Sequence, residues 1–164
     1  MEKKYRLLGE DTVLVNGHTL YRIEALRSFG NVNEGDLGGY IESESNLSHE
    51  GDCWVYDRAM VYENSQVTDN ACLYGQAEAY GHARVADDVV VADKSRVCDY
   101  AWIGENARVS GNARVYDYAV VLGNALVGDN ADVYRHAVVC DNAQVLGNAL
   151  VYYIKVCGDD IVTK

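Results

Sequence analysis

The sequence predicts an all-β fold in which the chain winds as a regular coil of very short strands, and two observations predict it. Every sixth residue from Val55 to Val151 is Val, Leu, Ile or Ala, over seventeen consecutive positions without insertion or deletion. Four residues after each of the first sixteen of these positions is Ala, Ser or Val. Between that small residue and the preceding repeat position lies a pair of residues drawn mainly from Asp, Gly, Glu and Asn. A β-branched residue favours a short strand, and the polar pair favours a corner. The unit V-x-[DG]-N-A-x therefore fits coils of three strands and three corners, about eighteen residues per turn, whose stacking buries a continuous core.

The unit resembles the repeat of the hexapeptide-repeat, left-handed parallel β-helix superfamily, and the resemblance covers residues 55–151. It implies a single-stranded left-handed helix of about six triangular coils. The hand comes from the resemblance alone, because ordinary crossover connections favour the opposite hand. The stretch GDLGGYIESESNLSHEGDCWVYDRA, residues 35–59, is also similar to a poorly characterised bacterial and phage branch whose members are often labelled transferases. Such a label follows the fold and does not identify a chemistry.

The residues outside the repeat are predicted to close its two ends. Asn16-Gly17 lies between two β-prone runs, which predicts a hairpin, and Ile41 and Leu47 are expected to begin a first irregular coil. We therefore expect an N-terminal β cap over 1–50 and the β-helix over 51–152. The remaining residues, 153–164, lose the period and are expected to form a terminal strand or cap, with an edge that can pair with a second copy.

Composition and charge exclude several classes of protein. The net charge of −11 argues against direct binding to nucleic acid or to an anionic membrane. No apolar run approaches the roughly 20 residues of a membrane helix, and no leader is recognisable, so we expect a soluble cytoplasmic protein. The five cysteines lack CxxC spacing, which indicates reduced structural thiols, no metal site and no cofactor. Ten of the 25 acidic residues occupy the first corner position, where we expect them to cap backbone amides.

Two outward-facing surfaces are candidates for binding. The second face of the coil carries a tyrosine column, which favours either simple stacking on an exposed sheet or a recognition surface for a partner. The third face is almost without polar side chains in the last coils, and a monomer rarely leaves such a patch in water. Self-association, a foreign partner and a C-terminal segment folding back are the three explanations. The column is Tyr62, Tyr80, Tyr116, Tyr134 and Tyr152, and the predicted interface is Trp102, Val120, Leu122, Leu126, Val138 and Cys140.

Catalytic signals are weak. His82 and His136 occupy one corner column three coils apart, about 14 Å at the strand spacing, so they cannot share a metal within one chain. Either is a weak candidate for a general base, because no oriented partner can be named for it. By resemblance, acyltransferases of this superfamily place a His near a subunit groove and close it with a loop that interrupts the helix. This chain has no interruption from 55 to 151.

The sequence thus favours a non-enzymatic interaction or scaffold protein that is a homo-oligomer, either a dimer or a trimer. A concrete form, given the phage-like resemblance, is an acidic inhibitor that occludes a bacterial nucleic-acid-handling or defence protein. The alternative is an acyltransferase of the hexapeptide-repeat class acting at a subunit groove.

Overall fold

The computed structural model describes residues 2–164 and is a parallel β-solenoid with three parallel sheets and an antiparallel hairpin at its N-terminal end. The hairpin consists of β1 (Tyr5–Val15) and β2 (His18–Ala25), and β3 (Leu37–Ile41) joins it to the coil, followed by a 3-10 turn at Glu44–Asn46. The solenoid strands are two or three residues long, and strands one coil apart pair in parallel with an eighteen-residue offset, as Val97 does with Val115. The all-β coil predicted from the period is confirmed.

The coil strands fall into three faces. The first face contains Trp54–Val55, Cys72–Leu73, Val90–Val91, Arg108–Val109, Leu126–Val127, Gln144–Val145 and Ile161–Val162. The second face contains β3 and then Met60–Val61, Glu78–Ala79, Arg96–Val97, Arg114–Val115, Asp132–Tyr134 and Leu150–Tyr152. The third face contains Gln66–Val67, Arg84–Val85, Trp102–Ile103, Val120–Val121, Val138–Val139 and Lys155–Val156. In each strand the inward residue of the repeat is buried, and the small residue after each corner is buried beside it, which produces one continuous apolar core.

The solenoid has about seven coils, so the prediction of about six was one too low. The extra turn comes from both ends. Ile41 pairs in parallel with Val61 and Leu47 with Val67, which confirms that these two residues begin an irregular first coil. At the other end Lys155–Val156 and Ile161–Val162 continue the third and first faces. The six-residue period does not predict these strands, because the spacing is two residues longer than the repeat between Leu47 and Val55 and one residue shorter after Val151.

The corners explain much of the acidic composition. All ten acidic residues at the first corner position have φ between 52° and 62°. Each carboxylate accepts a hydrogen bond, 2.7–3.4 Å long, from the backbone N–H at the same corner one coil further on. Asp tolerates the left-handed region better than most residues, and a bond between coils offsets its cost. These residues are Asp57, Glu63, Asp69, Asp87, Asp93, Asp99, Glu105, Asp117, Asp129 and Asp141.

The N-terminal hairpin bends over the outer surface of the second face. Its pairing is irregular between Leu8 and Thr12, and a bulge of this kind bends a ribbon. Beyond the bend, Leu20 packs with Tyr40 and Tyr62 in a small apolar cluster outside the solenoid core, and Met60 and Tyr80 lie against that cluster. The hairpin therefore forms a wall on an otherwise regular rod.

A buried lysine supports the widened corner of the first coil. The Lys4 side chain is fully buried, and its Nζ donates to the carbonyl oxygens of Gly51 and Cys53 at 3.2 and 2.9 Å. Burial lowers the pKa of Lys4. These carbonyls lie beside Trp54–Val55, the terminal strand of the first-face sheet, which has no strand before it, so the cap supplies the donor.

The C-terminal coil is closed by a disulfide between Cys140 and Cys157, whose Cα atoms are 4.6 Å apart. The expectation that all five cysteines are reduced thiols was therefore wrong for this pair. The last coil is one residue shorter than the others, so Cys157 rather than residue 158 lies beside Cys140. Counting eighteen residues from Cys140 therefore does not predict this pairing. Cys53, Cys72 and Cys98 are free. Within residues 2–164, no helix has the length and apolarity needed to span a membrane.

Candidate functional site

His18, Glu42 and Glu63 form a titratable cluster at the tip of the hairpin. His18 opens β2 at the hairpin tip, while Glu42 and Glu63 follow the inward residues of the first and second coils. His18 Nδ1 lies 2.9 Å from Glu42 Oε1, and His18 Nε2 lies 3.4 Å from Glu63 Oε1. The cluster borders an open cleft of about 460 Å³ that is also lined by Ser43 and Ser45.

Backbone hydrogen bonds fix both carboxylates before they meet the imidazole. Glu42 Oε2 accepts from the Glu63 amide at 2.6 Å, and Glu63 Oε2 accepts from the Gly81 amide at 2.7 Å. Each carboxylate therefore has one anchored oxygen and one that faces His18. The His18 side chain is 32% exposed and its ring lies 5.7 Å from the ring of Tyr62, so it is supported on one side and open to solvent on the other.

The carboxylates favour the protonated form of His18. The hydrogen bond to Glu42 raises the pKa of His18, and the same bond lowers the pKa of Glu42. Glu42 holds Nδ1 and Nε2 lies beside Glu63 at the edge of the cleft, so the neutral form of His18 can act as a general base there.

The two predicted catalytic histidines lie elsewhere. His82 and His136 are exposed and belong to a ladder of stacked rings along one corner, in which Tyr100 and Tyr118 lie between them. Consecutive ring centroids of this ladder are 4.8–5.1 Å apart. Among residues 2–164 neither imidazole has a side-chain hydrogen-bond partner, so stacking orients the rings and no carboxylate does. Both remain weak candidates for a base.

The predicted tyrosine column is divided by the hairpin. Tyr62 is 1% exposed beneath it, and burial raises the pKa of Tyr62 to about 12. Tyr80 stacks on Tyr62 at 5.1 Å and borders the same apolar cluster. Tyr116, Tyr134 and Tyr152 form a second stack with centroids 5.0 and 5.2 Å apart, and this stack is the part of the column that a partner can reach.

The predicted interface on the third face is uncovered within the chain. Trp102 is 45% exposed, and Val120, Leu122, Val138 and Cys140 are half-buried. Leu126, predicted as part of the same interface, is half-buried on the neighbouring first face. The C-terminal segment does not fold back over them, because Lys155–Val156 adds to the sheet edge beside Val138–Val139. Cys140 lies in the disulfide, and Asp141 is close to both of its sulfurs. While the disulfide is intact, neither sulfur is available as a thiolate metal ligand.

The fold and its repeat define the protein as a hexapeptide-repeat parallel β-solenoid. Residues 107–123 match the family model described as the YdcK Beta solenoid repeat. The chain is also 34% identical over 61 residues to a protein of Escherichia coli (strain K12) named "Uncharacterized acetyltransferase YdcK". This match covers 33% of the present chain and 19% of the relative, so the chain spans about a fifth of that protein's length.

The His18 cluster was missed from sequence because its members come from three separate segments. The Asn16-Gly17 turn predicts where the hairpin ends, which places His18 at the start of the returning strand. The six-residue register then identifies Glu63 as a corner residue. No sequence signal predicts that the hairpin bends over the second face, and that bend brings His18 to the two carboxylates.

Proposed function

We propose that the protein transfers an acyl group from a thioester donor of the coenzyme A class to a nucleophilic acceptor, with His18 as the base. The observation that supports this proposal is the contact between His18 Nδ1 and the Glu42 carboxylate beside an open cleft. The Glu63 amide holds that carboxylate in place. The relative's name, an acetyltransferase, supports the same reaction class for a related repeat.

The chemistry follows from the two nitrogens of His18. In the neutral form of His18, Nδ1–H donates to Glu42, and the lone pair of Nε2 takes a proton from the attacking amine or hydroxyl of the acceptor. The bond from the acceptor to the acyl carbon forms, the carbon–sulfur bond breaks, and the thiolate leaves with that proton. Glu63, 3.4 Å from Nε2, stabilises the transient imidazolium.

The hairpin supplies the wall that the uninterrupted solenoid lacks. Acyltransferases of the resembling superfamily use a loop inserted in the helix, and this chain has none between 55 and 151. Here the hairpin packs over the second face, and His18 at the start of β2 borders the cleft. A subunit groove is therefore not required for enclosure on this side.

The test combines acetyl-CoA with a panel of amine and hydroxyl acceptors and measures release of the free thiol. His18→Gln keeps a side chain at the hairpin tip but removes the base, and we expect a loss of about 10²-fold or more in kcat/KM. His136→Gln is the matched control and should retain the wild-type rate. Equal rates for wild type and His18→Gln, or no binding of acetyl-CoA by calorimetry, would exclude this proposal.

A second candidate function is a homo-oligomeric interaction protein, and the uncovered third face favours it. Half-buried Val120, Leu122 and Val138 lie in adjacent apolar columns that no segment of the described chain covers. A phage-type inhibitor of a bacterial enzyme is one form of this function, and it requires a complex of defined stoichiometry with its target. The stack of half-buried Tyr116 and Tyr134 with exposed Tyr152 is a suitable contact surface.

A further inference from the structure

A second cleft lies on the other side of the hairpin and has the opposite charge character to the rest of the surface. It has a volume of about 410 Å³. The hairpin and β3 contribute Val13 and Tyr40 as one wall, and the second to fourth coils contribute the floor. The floor and its rim consist of Arg58, Met60, Gln76, Glu78, Lys94 and Arg96.

Two cations of this cleft are unpaired. Within residues 2–164, neither Arg58 nor Lys94 has a carboxylate within 4.0 Å, and both side chains are exposed. Arg96 lies 3.6 Å from Glu78, the one carboxylate that lines the cleft. The residues that line the cleft thus comprise three cations and one carboxylate, in a chain of net charge −11.

The cations are arranged in a line. Arg58, Gln76 and Lys94 occupy the same corner position in successive coils, as the backbone bonds from Arg58 to Gly75 and from Gln76 to Asp93 indicate. At about 4.8 Å per coil, the Cα atoms of Arg58 and Lys94 are roughly 10 Å apart. The Gln76 amide, a neutral donor, lies between them, and Arg96 adjoins Lys94 two residues further along the chain.

A further guanidinium stands behind the hairpin wall. Arg22 lies over the Tyr40 ring, 5.2 Å from its centroid, and donates from Nη1 to the Tyr40 hydroxyl at 3.1 Å. Its Nε is buried and has no hydrogen-bond partner in the described chain. The Tyr40 hydroxyl in turn donates to Asp11 Oδ1 at 3.3 Å, so this wall contains one guanidinium and one carboxylate.

We propose that this cleft binds a small molecule that carries phosphate groups, with Arg58 and Lys94 holding oxyanions at its two ends. Arg and Lys both bind phosphate through charge-assisted hydrogen bonds, and the linear spacing fits an elongated polyanion rather than a single ion. The proposal does not depend on acyl transfer, because the site contains neither His18 nor its carboxylates.

The experiment is calorimetric titration of the intact protein with inorganic triphosphate, which contains no thioester. We expect binding by wild type and at least about a 10-fold loss of affinity in Arg58→Gln/Lys94→Gln, because two charge-assisted contacts are removed. Arg108→Gln/Lys155→Gln is the control: it changes the net charge equally, and both residues are exposed and lie outside the cleft. Circular dichroism and the Tm establish that each variant is folded.

Absence of triphosphate binding by wild type, or an equal loss in the control variant, would overturn the proposal. Equal affinity for citrate would overturn the assignment to phosphate, and a preference for an acidic peptide over triphosphate would assign the cleft to a protein partner. His18→Gln should leave triphosphate affinity within about two-fold of wild type, well under the 1.4 kcal/mol of a tenfold change. The acyl-transfer proposal and this one can therefore fail separately.

Discussion

A carboxylate at a left-handed corner links one coil of this solenoid to the next. Asp99, for example, adopts φ 57° and accepts a hydrogen bond from the backbone amide of Asp117, which repeats the arrangement toward Arg135. The negative charge of the chain is in this sense a consequence of its corners. Arg135 occupies the same left-handed corner position, at which the other repeats from residue 57 to 147 have Asp, Glu or Gly. The Arg135 guanidinium lies 5.0–5.9 Å from the Tyr134, Tyr152 and Tyr153 rings.

At the same scale, the His18–Glu42 pair makes the stability of the cap depend on pH. The pKa of His18 is raised by Glu42, so its stabilisation is complete below the ordinary value of 6.5 and is lost as pH rises through the raised pKa. The pKa of Glu42 is lowered by His18, so its stabilisation is present above the ordinary value of 4.5 and is lost as pH falls. Glu63 faces the same imidazole, and the neutral Tyr62 ring packs beside it.

We therefore expect the Tm difference between wild type and His18→Gln to be largest between pH 4.5 and 6.5 and to shrink on either side. Thermal unfolding followed across pH 4 to 9, with His82→Gln as the control, checks this expectation. A difference that is independent of pH would show that the pair does not stabilise the cap through its charges.

At the scale of elements, the regular coils could be predicted from the sequence and their two ends could not. Between Val55 and Val151 the six-residue register is continuous. Counting in steps of six therefore predicts which side chains point inward and which point outward. The gain of two residues before Val55 and the loss of one after Val151 break that count, although the same backbone path continues through both. The candidate site joins Glu42 of the first coil to the hairpin, and at the break itself Lys4 contacts the carbonyls of Gly51 and Cys53. A single-sequence period contains no information about this packing.

The disulfide is the element-scale feature with the clearest test. Cys140 and Cys157 are 17 residues apart, and closing a loop of this length constrains the unfolded chain by about 3 kcal/mol. Because the bond joins the last coil to the one before it, reduction should loosen the terminal strands first. We expect hydrogen exchange at residues 155–162 to accelerate when the protein is reduced, while exchange in the strands from Val55 to Val127 stays the same.

Mass spectrometry of peptides from oxidised and reduced protein measures this exchange. Cys72→Ser, which removes a thiol outside the disulfide, should respond to reductant as wild type does. Equal protection of residues 155–162 in both redox states would show that strand pairing alone holds the last coil.

For the whole molecule, the asymmetry of its three faces argues for self-association through the third. The hairpin covers part of the second face, and the first face carries Arg108 and Gln144 between its apolar residues. On the third face, Val120, Leu122 and Val138 form adjacent aliphatic columns, and exposed Lys155 lies beyond Val138 in the last coil. A straight rod presents such columns to an identical rod with matching spacing, so a second copy can cover them completely. A specific interface of this kind buries about 800 Å² on each partner, which a face of several coils can supply.

We expect wild type to be a dimer or trimer by light scattering and Val120→Asp/Leu122→Asp to be monomeric, because a charge buried without a partner opposes association. Val90→Asp/Ala92→Asp places the same charges at the corresponding outward positions of the first face and should leave the oligomer intact. If wild type is monomeric at high concentration, or if both variants dissociate alike, the third face is not a self-interface. In that case its apolar columns must face a different molecule, and the interaction function would require a foreign partner.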